Sequence, residues 1–96
     1  MKIVNHDCDG KLTRIGVTSR GTEVDVNPLV VGRKVILLGG TVHHFFAGYG
    51  GGRKSILPGV AGRATIMQNH AHALDPAAAQ PNPLCGLGVT MLNPLH

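Results

Sequence analysis

Three consecutive glycines, Gly50-Gly51-Gly52, lie inside the stretch His43-His44-Phe45-Phe46-Ala47-Gly48-Tyr49-Gly50-Gly51-Gly52-Arg53-Lys54-Ser55. They constrain the fold more than any other feature. A glycine run loses much backbone entropy on folding and offers no side chain to a core, so it belongs where the main chain takes positive φ or approaches something closely. No long helix or uninterrupted strand can cross it. Both phenylalanines and the only tyrosine share the stretch, and Arg53 and Lys54 come directly after it. Turned amides beside two cations suit an anion, phosphate or carboxylate.

The segment before the loop predicts how it is mounted. Residues 34–38 contain four apolar residues in a row, Val35-Ile36-Leu37-Leu38, between charges and Gly39-Gly40. Continuous apolarity predicts a strand covered on both faces, as in a parallel sheet between helices. Ligands bind beyond the ends of such strands in open α/β sheets. Shorter strands are expected at 2–5, 12–18 and 22–26, with a turn at His6-Asp7-Cys8-Asp9-Gly10 and Ser19-Arg20-Gly21 as a hairpin loop. Asn27-Pro28 starts a helix that Gly32 limits to a turn or two. Ser55-Ile56-Leu57 reads as a brief helical turn ended by Pro58-Gly59. Over 62–74, Ile66, Met67, Ala71 and Leu74 recur at helical spacing, with His70 on or beside that face and Asp75-Pro76 as the stop. The expected class is α/β, a Rossmann-like arrangement. Pro76, Pro81, Pro83 and Pro94 then interrupt the chain, so 1–75 reads as a domain core and 76–96 as a proline-rich tail continuing it.

A 96-residue chain has room for one domain, and a chain of that size buries only roughly 60–65% of its unfolded surface. A binding site is therefore expected at an edge, or completed by another chain segment. Nine Lys and Arg against five Asp and Glu give a net charge of +4. The cations form no run or stripe, and three aromatic residues offer little base stacking, so a small anionic ligand is a better match than nucleic acid. Cys8 and Cys85 belong to no Cys-x-x-Cys pair, which argues against zinc and against a disulfide framework. The start has no apolar signal core, and the longest apolar run is too short for a bilayer. A soluble cytoplasmic protein is expected.

Two phosphate-loop patterns fail. Gly48 to Ser55 has the first glycine, the lysine and the serine of a Walker A motif, but Arg53 stands where its second glycine must be. A dinucleotide Gly-x-Gly-x-x-Gly fails at Arg53 as well. Of the six histidines, each alone is more often solvated or structural than functional. His44 and His70 stand out by position, one entering the glycine loop and the other on the following helix.

Spacing sharpens the reading. His44 precedes Lys54 by 10 residues and Lys54 precedes His70 by 16. The stretch His44-Phe45-Phe46-Ala47-Gly48-Tyr49-Gly50-Gly51-Gly52-Arg53-Lys54, with Leu57-Pro58-Gly59, Thr65-Ile66 and Asn69-His70, resembles the nickel-dependent lactate racemase family. Asn5-His6-Asp7, Gly21-Thr22, Val26-Asn27 and Asn93-Pro94 look like the family too. The resemblance implies an isomerase, a 2-hydroxy acid racemase or epimerase, and an N-terminal domain present only in part. It implies a nickel pincer cofactor, a pyridinium bis-thiocarboxylate mononucleotide, joined covalently to Lys54 and lying against Gly50, Gly51, Gly52 and Arg53. His70 would be the nickel ligand. His44 would be one of two acid–base histidines, taking the hydroxyl proton of a 2-hydroxy acid while the C2 hydride moves to the cofactor. The family's substrate arginine and second acid–base histidine belong to segments upstream of Asn5-His6-Asp7, and a further domain follows Asn-Pro-x-His. The resemblance thus implies an incomplete, inactive piece that needs the rest of a racemase chain. The competing expectation is a non-catalytic phosphate or nucleotide module with Gly48 to Lys54 as an anion nest.

Overall fold

A computed structural model of the chain describes residues 2–75, 80–86, 88, 94 and 95. Its best-formed unit is an antiparallel hairpin of β1 (Thr13–Val17) and β2 (Glu23–Val26), registered from Thr13↔Val26 to Val17↔Glu23. The expected loop closes it: the Thr18 amide donates to the Thr22 carbonyl at 2.9 Å and the Gly21 amide to the Thr18 carbonyl at 3.0 Å. Gly21 takes φ 83° there, which a side chain would resist. Period-two burial holds on β2, where Val24 and Val26 are buried. The apolar residues of β1, Ile15 and Val17, stay exposed.

The other edge of β2 is closed by a helix rather than a strand. In α1 (Arg63–Ala71), the Thr65 hydroxyl donates to the Glu23 carbonyl at 2.7 Å and accepts from the Asp25 amide at 3.0 Å. Gln68 accepts from the Glu23 amide at 2.7 Å. The segment leading into the helix adds the Gly62 amide to the Asp25 carbonyl at 2.8 Å and a bridge between Val26 and Ala61. Strand-edge groups that would otherwise face solvent or a foreign strand are thereby satisfied within the chain. Val24, Val26 and Ala61 form the core at this junction, joined by Val30, Leu57 and Ile66.

This docking explains why the helix differs from expectation. It ends at Ala71 rather than Leu74, and it buries Thr65 and Asn69. Of the predicted apolar face only Ile66 packs on the core; Met67 is 66% exposed, and Leu74 is exposed in a short strand. A helix that covers a strand edge must present hydrogen-bonding side chains to it, so the hydrophobic spacing pointed to the wrong stripe. The turn at Asn27-Pro28 comes out as expected: Asn27 caps a 3-10 turn at Pro28–Val30 by accepting from the Leu29 amide at 2.9 Å. The second helical turn lies earlier than the expected 55–57, as a 3-10 turn at Gly52–Ser55.

Residues 34–38, expected as the central strand, join no ladder, and Ile36 and Leu38 are 87% and 88% exposed. Residues 2–5 form no strand either, and Ile3 is exposed. A strand needs partners for its edges, and among the described residues no strand pairs with either segment. The sheets seen are three antiparallel pairs, so the mixed α/β class is carried by short strands and one helix rather than by a parallel sheet.

Beyond α1, β5 (Leu74–Asp75) replaces the expected last residues of the helix and pairs with β6 (Gln80–Pro81), where the sequence suggested no element. Cys85 and Leu95 fold back onto Ala47 and Ala73 as a second small core. The Asn82 amide donates to the Ala73 carbonyl at 2.7 Å, and the Gly88 amide to the Gly48 carbonyl at 3.1 Å. The first bond ties the described part of the tail to the end of α1, the second to the glycine loop. No helix among the described residues is long and apolar enough to cross a membrane.

Candidate functional site

The loop begins as a tight hairpin in which β3 (His43–His44) pairs with β4 (Gly48–Tyr49). The rings of His43 and Tyr49 lie 4.9 Å apart. His44 Nδ1 accepts hydrogen bonds from the Phe46 and Ala47 amides at 3.2 and 3.1 Å. Two donors at Nδ1 assign the ring hydrogen of neutral His44 to Nε2.

The three glycines do different things. Gly51 has φ 78°, and a Cβ there would collide with the Gly40 carbonyl oxygen. Its close approach is therefore to the chain's own backbone. Gly50 donates its amide to the Val42 carbonyl at 2.7 Å. Gly52 has φ 59° with open space around it and supplies the left-handed bend before the 3-10 turn.

That turn fixes Lys54 at both main-chain ends: its amide donates to the Gly51 carbonyl at 3.2 Å, and its carbonyl accepts from the Gly59 amide at 2.9 Å. Gly59 is required for this closure, because a Cβ there would collide with the Ser55 carbonyl. Lys54 is half-buried, and desolvation, then the neighbouring Arg53 charge, hold its pKa below the usual lysine value. The result is a larger share of neutral amine, and so of nucleophile. His70 sits in the last turn of α1, where the buried Thr65 and Asn69 fix the helix that carries it.

His44, Gly50, Lys54 and His70 line one cleft of about 190 Å³, with Asn69 and Leu95 completing its wall. Lys54, Asn69 and Leu95 also line a larger cleft of about 480 Å³, which contains Arg53. His44, His70 and Leu95 border a third, apolar space of about 600 Å³ with Phe45 and Phe46. Folding thus brings together the lysine and the two histidines singled out by spacing. Arg53 lines the larger cleft and not the small one that the histidines share.

Sequence reasoning missed Asn69 as a wall of the site, and missed the Ser19-Arg20 loop, which lines the larger cleft. Asn69 stands in the motif beside His70 but carries no sign of its own role, and the Ser19-Arg20 loop reaches the site only through tertiary docking. His6 and His72 are structural pins: His6 Nε2 donates to the Ala61 carbonyl at 2.7 Å while Nδ1 accepts from the Asn27 side-chain amide at 3.1 Å, and His72 Nε2 meets the Thr22 hydroxyl at 2.9 Å. Asp7, Cys8 and Asp9 have potential ligand atoms within 4.8 Å of one another. Asp9, however, already accepts two bonds from Arg63, at 2.7 and 2.6 Å. Among the described residues His70 belongs to no such group.

Comparisons with known proteins agree on one family. The lactate racemase N-terminal domain family matches residues 1–81. Lactate racemase of Thermoanaerobacterium thermosaccharolyticum is 39% identical over 83 residues, covering 85% of this chain and 18% of that protein. Lactate racemase of Lactiplantibacillus plantarum is 39% identical over 64 residues, covering 66% of this chain and 15% of its own length. The structure of the lactate racemase apoprotein from T. thermosaccharolyticum superposes with a TM-score of 0.81 at 36% identity, over 95% of this chain and 21% of that one. The chain therefore spans less than a quarter of the relatives it matches, and it belongs to the lactate racemase N-terminal domain family.

Proposed function

We propose that this chain is the cofactor-bearing part of a 2-hydroxy acid racemase of the cytoplasm, with residues 1–75 as the core of a partial N-terminal domain and 76–96 continuing it. The observation that carries the reading is the convergence of His44, Lys54 and His70 on one cleft. The residues suit a tethered nickel pincer mononucleotide. Lys54 is desolvated toward the neutral amine that acylation needs, and a lone imidazole at His70 complements the soft sulfur donors such a group brings to Ni(II). The two clefts, about 190 and 480 Å³, share Lys54, Asn69 and Leu95 as walls, and the larger lies within the roughly 300–1,000 Å³ of small-molecule sites. Lys54 would hold the group covalently and His70 would ligate nickel. When bound, the group supplies a reversible two-electron acceptor at substrate C2.

His44 handles the proton. As it lies, the neutral ring offers Nε2–H to a substrate oxygen. Accepting the hydroxyl proton at Nε2 requires Nδ1 to carry the ring hydrogen instead, and Nδ1 must then leave the Phe46 and Ala47 amides. Racemisation needs a proton-transfer group on each face of the substrate. With His70 given to the metal, His44 is the one imidazole left among the described residues of the small cleft. The 96 residues alone are expected to show no turnover, and the rest of a racemase chain completes the site.

The test is co-production of the chain with enzymes that make the cofactor. Intact mass should show an addition on Lys54, and metal analysis should show nickel. His70→Ala should lose nickel yet keep the addition, and Lys54→Ala should lose both. His44→Ala should keep both and, within a complete racemase, abolish turnover. An unmodified Lys54 together with absent nickel would sink the proposal.

A further inference from the structure

The β1–β2 turn carries Thr18, Ser19 and Arg20 to the same cleft as Arg53 and Lys54. More than thirty positions apart in sequence, the two groups meet only through folding. Three cations thus line one space of about 480 Å³, and no carboxylate is among its described lining residues. The acids act elsewhere: Glu23 and Asp25 pair with Arg14, and Asp9 with Arg63. The positive field is felt within the cleft, since Arg53 adds to the desolvation that disfavours the Lys54 ammonium.

Three cations exceed what a single carboxylate needs and match a phosphate monoester, which carries about −1.5 to −2 charges. Guanidinium groups bind phosphate oxygens bidentately, and hydroxyl donors fill the remaining lone pairs. Thr18 Oγ1 already accepts from the Thr22 amide at 3.1 Å, which directs its own hydrogen elsewhere. We infer that this cleft is a phosphate-monoester site, with Arg20 and Arg53 as the anion's clamps and Ser19 as a hydroxyl donor. Lys54 and Asn69 line both this cleft and that of His44 and His70. A mononucleotide anchored at Lys54 therefore has a place for its phosphate at the Arg20 end. That choice of ligand rests on the function proposed above; the anion site itself does not.

The experiment is a calorimetric titration of the full chain, without nickel, using nicotinate mononucleotide, its riboside without phosphate, and inorganic phosphate. The mononucleotide should bind at least roughly tenfold more tightly than the riboside, as expected for charge-assisted bonds to an anion. Arg20→Ala should weaken mononucleotide binding by a similar factor and leave the riboside unchanged. Arg20→Lys should fall between, keeping charge without the fork. Arg20 is exposed in its turn, and an unaltered amide spectrum of the variant checks that the fold survives. Inorganic phosphate binding as tightly as the mononucleotide, with the same Arg20 dependence, supports the site and assigns it to free phosphate. Equal binding of mononucleotide and riboside, or indifference to Arg20→Ala and Arg20→Glu alike, overturns it. An Arg20 effect with Lys54 never modified leaves the anion site standing and removes the racemase reading, and the reverse pattern separates them the other way.

Discussion

The junction of β2 with α1 and the segment 34–38 are both apolar, yet they meet opposite fates. Val26 at the junction is 1% exposed, whereas Ile36 and Leu38 in the segment are almost wholly exposed. Hydrophobicity does not separate them; partners do. β2 has β1 on one edge and the Thr65 and Gln68 side chains on the other, so burying its valines leaves no backbone group unsatisfied. Segment 34–38 has no such neighbour among the described residues.

The sharpest way to break this comparison is to put one carboxylate in each region. Val26→Asp places an unpaired charge in the junction core, where the penalty is several kcal/mol, roughly as large as the stability of a small domain. Cooperative melting followed by circular dichroism should vanish. Ile36→Asp should change stability by no more than about 0.5 kcal/mol, the usual range for exposed positions. If Ile36→Asp destabilises as much as Val26→Asp, segment 34–38 is packed in solution and the contrast collapses.

The same contrast explains what could be read from the sequence. The hairpin over 13–26 was legible because β2 alternates, Ser19-Arg20-Gly21 closes it and Asn27-Pro28 starts the next turn; each signal is local. The existence of α1 was legible, but its buried face was not. Met67 and Leu74 have the right spacing, while Thr65 and Gln68 do the docking because a strand edge asks for hydrogen bonds. Residues 34–38 were legible as apolar, and that property alone cannot distinguish a covered strand from an uncovered one. At the site, the spacing of His44, Lys54 and His70 pointed to one cleft. Arg20 and Asn69 reach that neighbourhood through contacts that only the assembled fold contains.

A smaller effect is expected from Thr65→Val, which keeps shape and volume but removes the hydroxyl that bridges β2 to α1. The Glu23 carbonyl and the Asp25 amide lose their shared partner, and leaving buried groups unpaired costs about 1–3 kcal/mol. Denaturant midpoints should fall accordingly. Hydrogen exchange would sharpen the point: the Asp25 and Gly62 amides should lose protection together in the variant, while the amides of 35–38 exchange fast in both proteins. An unchanged midpoint would mean that the apolar contacts of Val24, Val26 and Ala61 hold the helix unaided.

The smallest expected effect reads out where the glycine loop meets the stretch that follows segment 34–38. The glycine loop leans on residues 40–42 through the Gly50–Val42 hydrogen bond and the close approach of Gly51 to Gly40. Lys54 sits just beyond, with its pKa depressed chiefly by desolvation. A lysine whose folded pKa lies below its unfolded value binds fewer protons when folded, so stability rises with pH from the folded value up to the unfolded value near about 10.4. Below that window the depression lowers stability, and above it the cost is gone. Lys54→Met should flatten the rise, and the difference between parent and variant isolates this one group. Gly51→Ala pushes a Cβ against Gly40; it should loosen the contact, rehydrate Lys54 and shrink the rise with the lysine still in place. A pH profile that Gly51→Ala leaves intact would show that the desolvation of Lys54 owes nothing to the contact between the glycine loop and residues 40–42.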